Sequence, residues 1–224
     1  MMDITKPLFV LSRYNEDPSW ILEYTDNYII FNKGEPLEEK FKSKQVPNIG
    51  GNQYDISWFV WNHYENLPDI MIFVQAFPWD HCNREKFDKL IDNKFFTPLE
   101  SYEHVDTSPG TWMRLTPEGG FMEKNNSWYI SAHNSTHDMG CRYHSYDQFM
   151  HKYFENYERE EYIRFSPGSQ YLVTKKDVKG YPKEFWKSLA LELPKKSTTE
   201  ANIVERALWY ILTNKYRLKE GPLT

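Results

Sequence analysis

The first 95 residues alternate between short apolar runs and segments whose apolar residues recur at helical spacing. Each apolar run has the length and continuity of a strand that is buried on both faces. The predicted strands are 8–12, 27–31 and 70–75. The predicted helices are 18–24, 53–66 and 84–92. Strands that alternate with helices in this way predict a three-layer α/β fold with a mainly parallel central sheet.

The pattern is less regular in the rest of the chain. Prolines and glycines predict a loop region at 96–126, and dense charge predicts a solvated loop at 35–44. The further predicted elements are strands at 128–132 and 170–174 and helices at 146–157, 182–193 and 200–215. We expect all of them to belong to a single domain, 1–224.

Composition and charge narrow the class of protein. The 224 residues are 40% hydrophobic and 17% aromatic, which suits one large domain with a sizeable core. The formal net charge of −5 argues against nucleic-acid polymers, because these require a basic face. Two cysteines, Cys82 and Cys141, are too few for a zinc ribbon or a disulfide framework. Without a signal-like start or an apolar span of roughly 18 residues, we expect a cytoplasmic protein with no membrane span.

Polar side chains follow each of the three predicted strands of the first half. In an open α/β sheet, ligands bind beyond the carboxyl ends of the parallel strands. We therefore expect these clusters to meet along one edge of the sheet and to form a ligand site. They are Arg13, Tyr14, Asn15 and Glu16 after the first strand, Lys33 after the second, and Gln75, Asp80 and His81 at the third.

Asp80 and His81 are the candidate metal residues. A carboxylate at a strand end is a suitable ligand for Mg²⁺ or Mn²⁺ when substrate phosphates complete the coordination shell. The alternative is that Asp80 caps the helix that follows it, since the segment NREKF comes next.

Two other positions have both a structural and a functional interpretation. Asn48 and Gly50 belong to a turn before a helix, where backbone amides can hold an anion, although an ordinary glycine turn looks the same. Glu205 precedes Arg206, so it could form a surface ion pair with this neighbour. Alternatively, it points into the cleft and acts as a base.

The segment SAHNSTHDMGCRYH contains three histidines, His133, His137 and His144, which suggest a zinc site. The segment is loop-like and lacks an HExxH motif, so solvated loop histidines are the simpler interpretation. Neither Cys82 nor Cys141 lies in a nucleophile elbow, so a cysteine nucleophile is not favoured.

Several segments, taken together, resemble an uncharacterised domain family with the motif order RYNED, NKG, NxG and FxQ…DH. They are LFVLSRYNEDPSW, IIFNKG, VPNIGGNQYDISWFVWNHYENLPDIMIFVQAFPWDH, SPGSQYLVTKKDVKGYPKEFWKSL and VERALWYIL. The layout is in turn similar to that of nucleotide-sugar glycosyltransferases of the GT-A fold. The resemblance implies a nucleotide-binding half, 1–95, and an acceptor-side half, 96–224.

By this resemblance Asn15 and Glu16 face the nucleotide, Asn48 and Gly50 form the turn before the helix, and Asp80 takes the metal-site role. The implied activity is transfer of a sugar from a nucleotide-sugar donor to a glycan or another hydroxyl acceptor. Asp80 would orient Mn²⁺ or Mg²⁺ on the donor diphosphate, where the ion offsets charge on the leaving group.

Charge and proton transfer would fall to other residues. Arg13 or Lys33 would add positive charge at the diphosphate, and Glu205 or Asp138 would deprotonate the acceptor in an inverting reaction. Two alternatives stay open. The absence of an Asp-x-Asp favours an inactive glycan-binding module on the same fold, and a metal-dependent hydrolase would use His81 and the histidines of 133–144.

Overall fold

A computed structural model of the protein describes residues 3–101, 113–115, 119–125, 143, 145–193 and 199–221. Several residues singled out above lie outside these described residues. They are the predicted strand at 128–132, the candidate base Asp138, the thiol of Cys141, and the histidines His133, His137 and His144.

Nine strands form two sheets in the described part of the chain. They are β1 (Leu8–Arg13), β2 (Tyr28–Asn32), β3 (Ser43–Gln45), β4 (Ile70–Gln75), β5 (Thr97–Pro98), β6 (Met113–Leu115), β7 (Phe121–Lys124), β8 (Tyr162–Phe165) and β9 (Tyr171–Thr174). The larger sheet has the order β3-β2-β1-β4-β9-β5, and its first four strands run parallel. Strand β9 runs antiparallel to both β4 and β5. Strands β6, β7 and β8 form a small antiparallel sheet.

Helices cover both faces of the larger sheet. They are α1 (Ile21–Tyr24), α2 (Gly51–His63), α3 (Arg84–Leu90), α4 (Tyr146–Tyr153), α5 (Lys175–Val178), α6 (Lys183–Leu191) and α7 (Thr199–Leu212). Successive side chains of a strand point to opposite faces, so β1 sends Leu8 and Val10 into a core with α2, α4, α6 and α7. Phe9 and Leu11 pack on the other side with α1 and α3. The predicted α/β fold with a mainly parallel sheet is confirmed.

The structure corrects two predicted loops. The charged segment 35–44 runs into β3, whose residues pair in parallel with β2 at the sheet edge. All three residues of β3 are polar and exposed, so no apolar pattern marks them. The region 96–126 contains β5, β6 and β7, and β7 pairs with β8, which the sequence did not reveal either. These strands are two to four residues long, which is too short for a periodic signal.

Glycine is required at the turn after β2. A Cβ at Gly34 would lie 1.7 Å from the carbonyl oxygen of Tyr14 and 2.2 Å from Oδ1 of Asn15. The turn after β2 therefore touches the turn after β1, and only a residue without a side chain allows this close approach.

We expect Gly34→Ala to push these two turns apart and to lower the free energy of unfolding by about 1–3 kcal/mol, as overpacking does elsewhere. Chemical denaturation measures the change. Glu38→Ala is the control, since Glu38 is exposed in the same connection and its pair with Lys40 is solvated. Equal stability of the two variants would contradict the close contact.

Candidate functional site

A cavity of about 260 Å³ lies beyond the carboxyl ends of β1, β2 and β4, beside the N-terminus of α2. Its wall contains Ser12, Arg13, Tyr14, Glu16, Lys33, Asn48, Gly51, Asn52, Gln75, Phe77 and Asp80. The parallel register explains the convergence, because Ser12 pairs with Gln75 and Arg13 pairs with Asn32. A second cavity of about 440 Å³ lies near the C-terminus, and no predicted site residue lines it.

The structure brings together most, but not all, of the residues that the sequence singled out. Those on the wall are Arg13, Tyr14, Glu16, Lys33, Asn48, Gln75 and Asp80. Those that do not line the cavity are Asn15, Gly50, His81 and Glu205. Oδ1 of Asn15 accepts the backbone N–H of Glu35 at 2.9 Å, so this side chain joins the turns after β1 and β2.

Arg13 is buried, with 8% of its surface exposed, and it holds the two turns together from inside. Its Nε donates to the carbonyl of Glu16 at 2.7 Å, and its Nη1 donates to Oδ1 of Asn32 at 2.5 Å and to the carbonyl of Glu35 at 2.9 Å. Each of these acceptors is a neutral oxygen. None of these three partners therefore compensates the positive charge of the guanidinium, which lies at the carboxyl edge of the sheet.

Lys33 and Asp55 form a buried ion pair. Nζ of Lys33 lies 3.1 Å from Oδ2 of Asp55, and the side chains are 5% and 1% exposed. Nζ also donates to the carbonyl of Ile49 at 3.0 Å and to that of Gly51. The ammonium thus combines one ion pair with two hydrogen bonds, so Lys33 connects the end of β2 to the first turn of α2.

Burial perturbs both members of this pair. It raises the pKa of Asp55 to about 6, and the positive charge of Lys33 opposes that shift. It also lowers the pKa of Lys33, which the negative charge of Asp55 opposes. Desolvation disfavours the charged form of each group, and the close partner restores it. Each charge therefore favours the charged form of its partner against the effect of burial.

Helix α2 begins without a side-chain cap, on the left-handed Gly50 with a φ of 57°. The first intrahelical acceptor is the carbonyl of Gly50, which takes the N–H of Tyr54. Within the described residues the amides of Gly51, Asn52 and Gln53 donate to no acceptor. Because Gly51 and Asn52 line the cavity, the positive end of the helix dipole opens onto it.

Asp80 is exposed on the rim of the cavity, at the end of a 3-10 turn that spans Pro78–Asp80. The alternative role of Asp80 as a helix cap is wrong, since α3 begins at Arg84 and its cap is Asn83. Oδ1 of Asn83 accepts the N–H of Lys86 at 2.9 Å. Within the described ranges there is no group of three or more metal-ligating side chains.

His81 and Glu205 both lie beside the turn at Gly168, and neither lines the cavity. A Cβ on Gly168 would lie 2.6 Å from Cδ2 of His81 and 3.1 Å from the side chain of Gln75. Oε1 of Glu205 accepts the N–H of Gly168 at 2.8 Å, and Oε2 pairs with Arg206. The expected Glu205–Arg206 pair is present, but both side chains are largely buried. Burial lowers the pKa of His81, opposed by the charges of Glu205 and Asp80.

Several residues of this region escaped the sequence analysis. Ser12, Asn52 and Phe77 line the cavity, and Asp55 supports its wall. Asp55 had a usable signal, since it lies four residues before the apolar Phe59, on the core-facing side of the helix, where a carboxylate needs a partner. Ser12, Asn52 and Phe77 had none, because single polar or aromatic residues beside turns are common on any surface. Cys82 is buried, and burial raises its pKa to about 12, in keeping with an unreactive thiol.

The fold and the cavity define an α/β protein that gathers polar groups where its parallel strands end, the usual ligand site of this architecture. The chain belongs to the family described as Protein of unknown function (DUF3431), whose model matches residues 8–219. Comparison with curated proteins and with solved structures gave no match. None of the described helices is long and apolar enough to cross a membrane, and the cytoplasmic location stays a prediction.

The ion pair makes a testable prediction about stability. We expect Lys33→Met to lower the free energy of unfolding by about 3–5 kcal/mol at pH 8, because it leaves the carboxylate of Asp55 buried and uncompensated. Burial raises the pKa of Asp55 in the folded state, so the folded state favours the protonated carboxyl. The contribution of this group to the free energy of unfolding therefore falls as the pH rises through its folded-state pKa. The loss should therefore be smaller at pH 5, where Asp55 takes up a proton, than at pH 8. Urea denaturation at both values measures it.

The Lys33→Met/Asp55→Asn double variant is the control. It lacks the titrating carboxylate, so its loss of stability relative to the wild type should vary less with pH than that of Lys33→Met. If Lys33→Met is destabilised equally at pH 5 and pH 8, Asp55 is not the group that depends on Lys33.

Proposed function

We propose that the protein is a glycosyltransferase-like enzyme that transfers a sugar from a nucleotide-sugar donor to a glycan or another hydroxyl acceptor. The observation that carries this proposal is the convergence of three strand ends and the N-terminus of α2 on one cavity, with a buried guanidinium in its wall. Strand ends in an α/β sheet are where nucleotides bind, and a guanidinium suits their phosphates.

The order of the elements supports the same proposal. The parallel strands lie in the order β3-β2-β1-β4, and the turn after each of β1, β2 and β4 contributes to the cavity. The segments that resemble GT-A glycosyltransferases are those that supply these turns. The assignment of the GT-A fold is part of the proposal and rests on this resemblance.

Asp80 is the residue of the cavity wall that would hold the implied Mn²⁺ or Mg²⁺. It fits as one ligand, because its carboxylate is exposed on the rim and makes no hydrogen bond within the described residues. When bound, the ion acts as a Lewis acid that offsets charge on the departing diphosphate. His81 does not line the cavity and lies beside Gly168, so Asp80 is the stronger metal candidate.

Acceptor deprotonation remains assigned to Glu205 or Asp138. The carboxylate of Glu205 is bonded to Gly168 and to Arg206 and does not line the cavity. Its use as a base would therefore require the turn at Gly168 to move. A retaining reaction would not require this base.

Exposed aromatic rings at the rim favour one further function, that of a glycan-binding module without turnover. Tyr14 and Phe77 are 48% and 43% exposed, and both line the cavity. Ser12 pairs with Gln75 in parallel register, and each ring belongs to the residue two positions further along its own chain segment. Such rings can stack on a nucleobase or on the apolar face of a sugar.

The proposed enzyme should be stabilised by its donor. A ligand that binds only the folded state adds about 2.7 kcal/mol at roughly a hundredfold excess over Kd, which a thermal-shift screen of nucleotides and nucleotide sugars with and without Mn²⁺ detects. We expect Asp80→Asn to abolish the Mn²⁺-dependent part of the shift and to reduce turnover at least about 100-fold. Asp92→Asn, at an exposed acid outside the cavity, is the matched control. No shift with any nucleotide or nucleotide sugar would refute the proposed transferase.

The aromatic rim gives a second prediction. We expect Phe77→Ala to weaken donor binding about 5- to 100-fold, as loss of a stacked ring does, and Phe77→Trp to preserve it. Because Phe77 is exposed, neither change should lower the melting temperature appreciably. Isothermal titration calorimetry measures both affinities. Binding of free glycans that depends on Phe77, without binding of nucleotides, would favour the glycan-binding module.

A further inference from the structure

We infer that the wall formed by Arg13 and the first turn of α2 is an anion subsite that binds a phosphoryl group through protein N–H groups alone. In the setting of the proposed function, on which this reading of its role rests, the subsite holds the donor diphosphate. The subsite itself needs no cation. Two sets of N–H donors beside the cavity lack an acceptor within the described residues, one on Arg13 and one at the start of α2.

Arg13 has both a charge and hydrogen-bond donors to offer. Its bonds use Nε and Nη1 and end on carbonyl or amide oxygens, and it forms no ion pair within the described residues. Its Nη2 donates to none of the described residues. Fully buried polar atoms without a hydrogen-bond partner do not include Nη2, so Nη2 keeps some accessible surface. The open space that Arg13 lines is the cavity.

An unpaired guanidinium at this depth implies a missing partner. Burying a charge without a counter-ion is costly, and only 8% of Arg13 is exposed. The neighbouring cation does not share the role, because the charge of Lys33 is paired with that of Asp55 and its ammonium donates to the carbonyls of Ile49 and Gly51. Arg13 is thus the cation of the wall whose charge an anionic ligand would balance.

The first turn of α2 supplies an independent set of donors. Gly51 and Asn52 line the same cavity, and their backbone amides donate to no acceptor within the described residues. Lys33 binds the carbonyls of Ile49 and Gly51, and in a trans peptide the N–H points opposite to the C=O. Lys33 therefore turns the amides of Gly50 and Asn52 away from itself. The helix has 13 residues, enough for its dipole to favour a negative charge at this end.

The two carboxylates of the wall do not occupy this position. Oε2 of Glu16 accepts the N–H of Tyr14 at 2.7 Å, which directs it to its own turn. Asp80 is exposed on the rim. An anion against Arg13 and α2 therefore contacts the buried wall, and Asp80 remains available to a cation that accompanies the anion.

The donor set favours a phosphoryl group over a carboxylate. Nη2 of Arg13, which carries two hydrogens, and at least two backbone amides can serve three or more oxygen atoms, and a carboxylate has only two. Uncapped helix N-termini bind phosphates in the same way. We therefore expect inorganic pyrophosphate to be the simplest probe of the subsite.

The test changes the charge at α2 and spares Arg13, whose replacement would remove four hydrogen bonds and endanger folding. Asn52→Asp places a carboxylate at the subsite, and a negative charge in the first turn of a helix favours folding. Asn52→Ala is the matched control, because both variants lose the bond from Nδ2 of Asn52 to the carbonyl of Gly168, 2.7 Å long. The ratio of their dissociation constants therefore reports the added charge.

The measurement is calorimetric titration of pyrophosphate in buffer with EDTA, and it is repeated with the nucleotide sugar that gives the largest thermal shift. We expect the wild type to bind pyrophosphate without a cation, and Asn52→Asp to bind it at least about tenfold more weakly than Asn52→Ala. Failure of the wild type to bind pyrophosphate in EDTA, or equal affinity of the two variants, would overturn the subsite.

The two proposals fail separately. Binding of pyrophosphate that is sensitive to Asn52→Asp, with no binding of any nucleotide sugar, would support the subsite and remove the transferase. Nucleotide-sugar binding that is equal in Asn52→Asp and Asn52→Ala would remove the subsite and leave the transferase standing.

Discussion

The buried pair of Lys33 and Asp55 is the interaction on which the candidate site depends. It connects the end of β2 to the first turn of α2, and the same ammonium holds the carbonyls of Ile49 and Gly51. Removing two charges from water is costly, and their mutual attraction offsets that cost only at close range. The pair therefore has one favourable arrangement, which sets the position of the helix N-terminus relative to the sheet edge.

Two further clamps complete the wall, and they come from distant parts of the chain. Arg13 binds the turns after β1 and β2 to each other through neutral oxygen atoms. The turn at Gly168 is held by Asn52 from α2 and by Glu205 from α7. Most of the polar groups around the cavity thus form bonds within the protein. The groups without such bonds are the ones that can bind a ligand.

The fold was largely predictable because its inner strands are continuous apolar runs. Strands β1, β2 and β4 and helices α2 and α7 lie close to their predicted positions, since burial on both faces of a sheet requires such runs. The edge strand β3 and the small sheet of β6, β7 and β8 were missed. Those strands exist because a neighbour supplies hydrogen bonds, and local pattern carries no information about that neighbour.

The order of apolar runs and helical segments was enough to predict the α/β class and the edge of the sheet at which polar residues gather, because parallel strands all end on one side. The role of each residue at that edge became visible only in the folded chain. Lys33 was expected to contact a phosphate, but it forms an ion pair with Asp55. Arg13 is buried and forms no ion pair with a carboxylate within the described residues. Asn52 and Phe77, which the sequence did not single out, line the cavity, and the carboxylate of Glu205 accepts the N–H of Gly168 and does not line the cavity. Charge pairing and burial depend on distances between segments up to about a hundred residues apart, and no local pattern encodes those distances.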